Sequence, residues 1–200
     1  MSILVNILTR TFKRPNAFKI CKKSIDSQTY KNINHIIGSE CKCDYLNENE
    51  YIKLSKKKTG PKPSIGRKPA PWNLHLNEMG TYVKEGWVMY IDDDDMFINE
   101  NSLQTIIEHI ENENQLILWR VNINGKIIPN DTNFGKIVAG NISSLGFMFH
   151  SKYLPVDWGS WTFGDYRAVN YLANDLKLEQ KWINKQLTKT QKGFSYGKPE

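Results

Sequence analysis

Cysteine is scarce in this chain: Cys21, Cys41 and Cys43 are the only three among 200 residues. An odd set with no repeating spacing excludes a disulfide framework. One residue separates Cys41 from Cys43, too close for a relaxed bridge, and no second pair completes a zinc site. Reduced thiols in a cytosol-like, cytoplasmic setting are therefore expected. Long apolar runs are also missing. None approaches the ~18 residues of a membrane span, which leaves at most peripheral contact with a membrane. No basic stretch precedes the apolar segment Ile3–Leu8, so a cleaved signal peptide is not expected. A Walker-type glycine loop is absent, which disfavours an NTPase. Histidines His35, His75 and His109 fall in no ligand pattern. No internal repeat or compositional break divides the chain. Residues 55–71 contain no acid at all.

What is present describes one ordinary domain. Apolar residues at 40% and aromatics at 12% are too many for a disordered chain. The net charge of +6 suits a polyanionic ligand, an anionic membrane surface or nucleic acid, and does not choose among them. No nucleic-acid motif accompanies it, so nucleic acid is not an expected partner.

Strand and helix signals alternate along the chain, an α/β pattern. Ile3–Leu8 reads as a first strand. A helix begins at Pro15 with Phe18, Cys21 and Ile25 on one face. His35–Ile37 is a short second strand, and Tyr51–Leu54 a weak third. Residues 55–71 form a loop carrying Lys56, Lys57, Lys58, Lys62, Arg67 and Lys68 among four prolines. This is either a solvated basic loop or a flap that neutralises phosphates. Trp72–Gly80 reads as a helix. A further helix follows Ser102, with Leu103, Ile106, Ile107 and Ile110 as its stripe. Leu116–Val121 and Lys126–Ile128 flank the hairpin signal Asn124-Gly125. Gly146–His150 is another strand, and Val169, Leu172, Ala173 and Leu176 mark a last helix. From Thr188 onward the chain reads as a mobile tail.

The segment hardest to explain by folding alone is Val88–Phe97, an apolar strand ending in Asp92, Asp93, Asp94 and Asp95. Alternate side chains of an extended segment face the same way, so Asp92 and Asp94 converge. Crowded carboxylates raise one another's pKa unless a cation sits among them. Oxygen-only ligands suit Mg²⁺ or Mn²⁺, completed by substrate phosphates. Capping of the next helix by Asp95 or Asn99 accounts for one or two of these aspartates, not four. The spacing and glycine of a calcium loop are missing.

The run Thr9-Arg10-Thr11-Phe12-Lys13-Arg14-Pro15 after the first strand, with Asp92-Asp93-Asp94 behind a buried strand, resembles the GT-A fold glycosyltransferases of the family-2 type. Tyr82–Asp95 is similar to that family's run of apolar strand and acidic tip. The resemblance extends from about Ile3 to about Leu176. It implies a single Rossmann-like mixed sheet flanked by helices, in one domain over 1–187. The nucleotide-sugar half would be 1–98, the acceptor half 99–187 and the tail 188–200. It further implies a metal-dependent inverting glycosyltransferase moving a sugar from a nucleotide-diphosphate donor, such as UDP-glucose, to a glycan or other hydroxyl acceptor. Asp94 and Asp92 would hold Mn²⁺ or Mg²⁺. Thr9, Arg10, Thr11, Ser39, Glu40, Arg67, Asp92 and Asp93 would bind the donor. Ser39 and Glu40 stand where the family often has a base-binding aspartate.

Asp165, within Trp158-Gly159-Ser160-Trp161-Thr162-Phe163-Gly164-Asp165, matches one position of the family's late acidic pair and would be the catalytic base. Its ordinary alternative is a helix N-cap. Asp157 is the fallback base. Trp158, Trp161 and Gly164, with Phe163, would meet the acceptor, although tryptophans are as often core as platform. His150, at a strand end, is a further candidate ligand or a packed residue. Two readings stay open beside this one: a nucleotidyltransferase, and a non-catalytic nucleotide-sugar or glycan-binding module.

Overall fold

A computed structural model describes residues 2–61, 67–193 and 200. Its strands are β1 (Val5–Arg10), β2 (Ile33–Ser39), β3 (Ile52–Lys53), β4 (Trp87–Tyr90), β5 (Asp95–Phe97), β6 (Gln115–Ile123), β7 (Lys126–Ile128), β8 (Phe147–His150) and β9 (Glu179–Thr190). Four α-helices join them: α1 (Pro15–Asp26), α2 (Asn73–Gly80), α3 (Ser102–Ile107) and α4 (Gly164–Asn170). Among the described residues the strands form one mixed sheet in the order β3-β2-β1-β4-β8-β6-β9-β5, with β7 paired to β6. The expected α/β sheet flanked by helices is what the chain adopts.

Strand alternation sorts the apolar side chains onto two faces. Leu8, Val88, Tyr90, Phe147 and Phe149 share one core with Leu76 and Met79 of α2 and Ala168 and Val169 of α4. Val5, Ile7, Met89 and Met148 share the other with Cys21 and Ile25 of α1 and Leu103 and Ile106 of α3. Covered on both sides, β4 is buried throughout, which is why its sequence is an unbroken apolar run.

Strands β2, β1 and β4 run parallel, with Leu8 opposite both Ile36 and Tyr90. Their carboxyl ends therefore open on one edge of the sheet, where α/β sheets take their ligands. The chain delivers Arg10 and Thr11, then Glu40, then the four aspartates to that edge.

Several expectations need correction. Strand β9 went unread, and the segment from Thr188 is not a tail at its start. Thr188 is fully buried, its hydroxyl accepting from Trp119 Nε1 (2.9 Å) and donating to the Leu145 carbonyl (2.7 Å). Gln191 is buried too. Most of the remaining segment, 194–199, lies outside the described residues. Asp95 does not cap a helix; it opens β5. The last helix is shorter than its apolar stripe, because a single π-helical turn replaces α-helix over Tyr171–Asp175. No helix among the described residues is long and apolar enough to cross a membrane.

Candidate active site

The acidic tip is built by turning the chain sharply after β4. The Asp95 amide donates to the Asp92 carbonyl (3.0 Å), and the Asp93 amide to the Arg10 carbonyl (3.3 Å). Asp93 then parts from the other three. Asp93 is wholly buried and ion-paired to Arg14, whose Nε lies 3.1 Å from Asp93 Oδ2. Arg14 also reaches Asp94, Nη1 to Oδ2 at 2.8 Å, while Arg10 Nη2 pairs with Asp92 Oδ2 at 2.8 Å. Asp92, Asp94 and Asp95 each direct an oxygen to one point, all within 4.8 Å of one another.

Gln191 fastens this turn from below. Its side-chain amide donates to the carbonyls of Ala17, Asp93 and Asp95 at 3.0 to 3.1 Å, and its backbone amide to that of Asp94. Neither Gln191 nor Arg14 was legible as a site residue. Arg14 lies 79 residues from Asp93 in sequence, and the only available signal was its place in the turn after β1.

Burial pushes Asp92 above the usual carboxylate range, against the pull of Arg10. Asp95 goes well up, through burial first and then the charges of Asp94, Asp92 and Asp93. Four carboxylates meet two guanidinium groups, so a divalent cation would be favoured among them. Three oxygen donors around one point, with like charges raising each other, fit a hard cation such as Mg²⁺ or Mn²⁺. Asp95 joins the pair expected from sequence.

A cavity of about 550 Å³ opens over this cluster. Arg10, Thr11, Glu40, Asp92, Asp94 and Asp165 all line it, so six predicted residues from both halves of the chain converge there. Trp72, His75 and Ser144 line it as well. His75 is buried, with Nε2 3.6 Å from Glu40, and burial keeps its pKa below the ordinary value. Asp165 is the second residue of α4 rather than its N-cap. It accepts only a local bond from the Tyr166 amide (2.8 Å), and burial raises its pKa to about 6.

Other predicted residues do not line this cavity. Thr9 is buried beneath it, bonded to His35 Nε2 (2.9 Å). Ser39 is buried beside Cys41. Asp93 points inward to Arg14 from within the turn. Arg67 turns away, donating to the Thr162 carbonyl (3.0 Å) and standing 4.8 Å over the Phe163 ring.

Trp158 is core, 2% exposed, edge-on to Tyr90 with ring centroids 4.7 Å apart. Trp161 donates to the Pro61 carbonyl (3.0 Å) and so pins the basic loop. Gly164 lets α4 approach α2: a Cβ there would lie 2.5 Å from Asn73 Nδ2 and 2.8 Å from the Trp158 carbonyl. Asp157 is occupied by Asn77 and the Gly159 amide, outside the cavity. His150 pairs with Trp87, at the end of β4 away from the aspartates, so it is no metal ligand.

No protein-family profile and no curated protein sequence matches the chain. Solved structures do match its fold. The S. aureus TarS fragment 1-349 superposes with a TM-score of 0.66 at 13% identity, over 94% of this chain and 60% of that one. The same fragment in complex with UDP-GlcNAc gives 0.65 at 12% identity, over 97% and 60%. Mannosyltransferase PcManGT from Pyrobaculum calidifontis, in complex with GDP-Man and Mn²⁺, gives 0.66 at 12% identity, over 97% and 59%. This chain thus spans about 60% of the length of these neighbours. At such identities the likeness shows a common fold.

Proposed function

We propose that this chain, which has the fold of glycosyltransferases solved with nucleotide sugars, is itself a metal-dependent inverting glycosyltransferase. The donor would be a nucleotide-diphosphate sugar, with a UDP-sugar such as UDP-glucose as first choice, and the acceptor a glycan or glycoconjugate hydroxyl. The observation that carries this reading is the shared cavity. Three convergent carboxylates, Asp92, Asp94 and Asp95, and one isolated carboxylate, Asp165, line the same space.

Two chemical tasks divide between those groups. Asp92, Asp94 and Asp95 would hold Mn²⁺ or Mg²⁺, and the chemistry supplied by the bound cation is neutralisation of charge on the diphosphate leaving group. Arg14 holds Asp94 in place and keeps Asp93 satisfied. Arg10 and Thr11 lie where the parallel strands end and would meet the nucleotide, with Glu40 and His75 on the same wall.

Among the described residues no ion pair holds Asp165, and Arg167 acts on it only as a nearby charge. Burial brings its pKa to about 6, close to the range in which a carboxylate accepts a proton and still exists ionised near neutrality. It would take the acceptor hydroxyl's proton as that oxygen attacks the anomeric carbon opposite the leaving diphosphate.

The test is nucleotide release from a panel of UDP-, GDP-, dTDP- and CMP-sugars with Mn²⁺ or Mg²⁺. Release with one donor, lost on chelation and in Asp94→Ala, supports the proposal. No release or binding with any donor overturns it.

A further inference from the structure

A second cavity, about 230 Å³, adjoins the first and shares Arg10, Trp72, Asp92, Ser144 and Asp165 with it. Only the smaller one is lined by Phe163 and Asn73. Its walls include two large side chains left open to solvent, Trp72 at 49% and Phe163 at 42% exposure. Single exposed aromatics are ordinary, but two lining one cavity offer it apolar ring surface that folding does not require.

Phe163 adds a second observation. Its φ of 66° lies in the left-handed region, which is costly for a bulky residue and persists only where surrounding structure imposes it. That structure is visible: Arg67 stands over the ring, Arg67 and Arg167 both donate to the Thr162 carbonyl, and α4 starts at the next residue. The ring is thus held two residues before Asp165.

We propose that the smaller cavity is the acceptor subsite and that its occupant is a sugar ring. The inference rests on the glycosyltransferase reading and assigns its acceptor a place and contact residues. A sugar ring has an apolar C–H face and an equator of hydroxyls. The first suits the faces of Phe163 and Trp72; the second suits the polar groups of Asn73, Thr162 and Asp165 that line the same space. An acyl chain would need a continuous apolar groove, which these polar groups interrupt. Where the cavities meet, the acceptor oxygen forms its bond to the anomeric carbon of the donor. The bond from that carbon to the diphosphate breaks, its electron pair leaves with the nucleoside diphosphate, and the acceptor proton passes to Asp165. Trp158 and Gly164, both singled out from sequence, line this cavity as well, and Trp72 and Phe163 join them as its exposed rings; Trp161 is not among its lining residues.

The test is saturation-transfer NMR with the methyl glycosides of glucose, galactose, mannose and N-acetylglucosamine, in the presence of Mg²⁺ and UDP or GDP. At least one glycoside should bind the wild type. Phe163→Ala should weaken it roughly tenfold, the loss of one aromatic stacking contact, and Phe163→Tyr should restore it. Nucleotide binding should be unchanged in both variants, because Phe163 lines only the acceptor side, and a retained cooperative melt shows that each is folded. Nucleotide binding without any glycoside signal overturns the subsite but leaves the glycosyltransferase reading standing. So does a glycoside signal indifferent to Phe163→Ala. Absence of nucleotide binding overturns the underlying reading itself.

Discussion

At the scale of single residues, the four aspartates show how neighbours of one chemistry take different tasks. The turn after β4 sends Asp93 inward to Arg14 and leaves Asp92, Asp94 and Asp95 lining the cavity. Arg14→Ala should therefore destabilise the fold by about 3–5 kcal/mol, because it strands a buried carboxylate, and chemical denaturation measures this directly. Asp165→Asn should keep nucleotide binding and lower transfer by roughly 10²–10⁴-fold, the usual contribution of a positioned base. The pH profile follows from the same residue. A base must be ionised, and burial raises the Asp165 pKa to about 6, so kcat/KM should climb as pH rises through about 6 and level off above it. An acidic limb near the ordinary carboxylate value would remove Asp165 from that role. The convergence of Asp92 and Asp94 was expected from sequence, whereas the turn that brings Asp95 to them was not. Arg14 was not, since ion pairing across 79 residues leaves no local pattern.

Elements explain which other readings held. Strand β4 and helix α1 were legible because each carries a dense apolar pattern of one period. Strand β9 was not: its residues Glu-Gln-Lys-Trp-Ile-Asn-Lys-Gln-Leu-Thr-Lys-Thr are mostly polar, and its register against β6 shifts around Arg120. Pairing on both sides, with β6 and β5, makes it a strand despite that composition. Sequence shows ring type but not burial, so it could not separate Trp158, buried at the wall of the smaller cavity, from the exposed Trp72. The close approach of α4 to α2 gives a prediction at this scale. Gly164→Ala should cost about 1–3 kcal/mol by overpacking against the Trp158 backbone. It should also slow transfer more than nucleotide binding, since α4 carries Asp165; a melting curve and a donor titration separate the two effects.

Across the whole molecule, the sheet joins distant segments into one cavity. The first half supplies Arg10, Glu40 and the acidic tip, the second supplies Asp165 and Ser144, and residues near the end fasten the tip through Gln191. A chain ended after Leu187 should lose substantial stability, because it strands Trp119 Nε1 in the core and removes the Gln191 bonds. Circular dichroism melting would show it; an unchanged melt would contradict it. The general architecture was legible from alternating elements and one acidic strand end, whereas the wiring between halves is long-range by nature.

The central claim is a cation-dependent nucleotide-sugar site on Asp92, Asp94 and Asp95. The most direct measurement is a thermal-shift titration with UDP-, GDP-, dTDP- and CMP-sugars, each with and without Mn²⁺, on the wild type and Asp94→Ala. A ligand that binds only the folded chain raises its melting temperature. The account predicts a rise with one nucleotide that needs Mn²⁺ and vanishes in Asp94→Ala. A flat response to every donor, or a rise of equal size in Asp94→Ala, would contradict it.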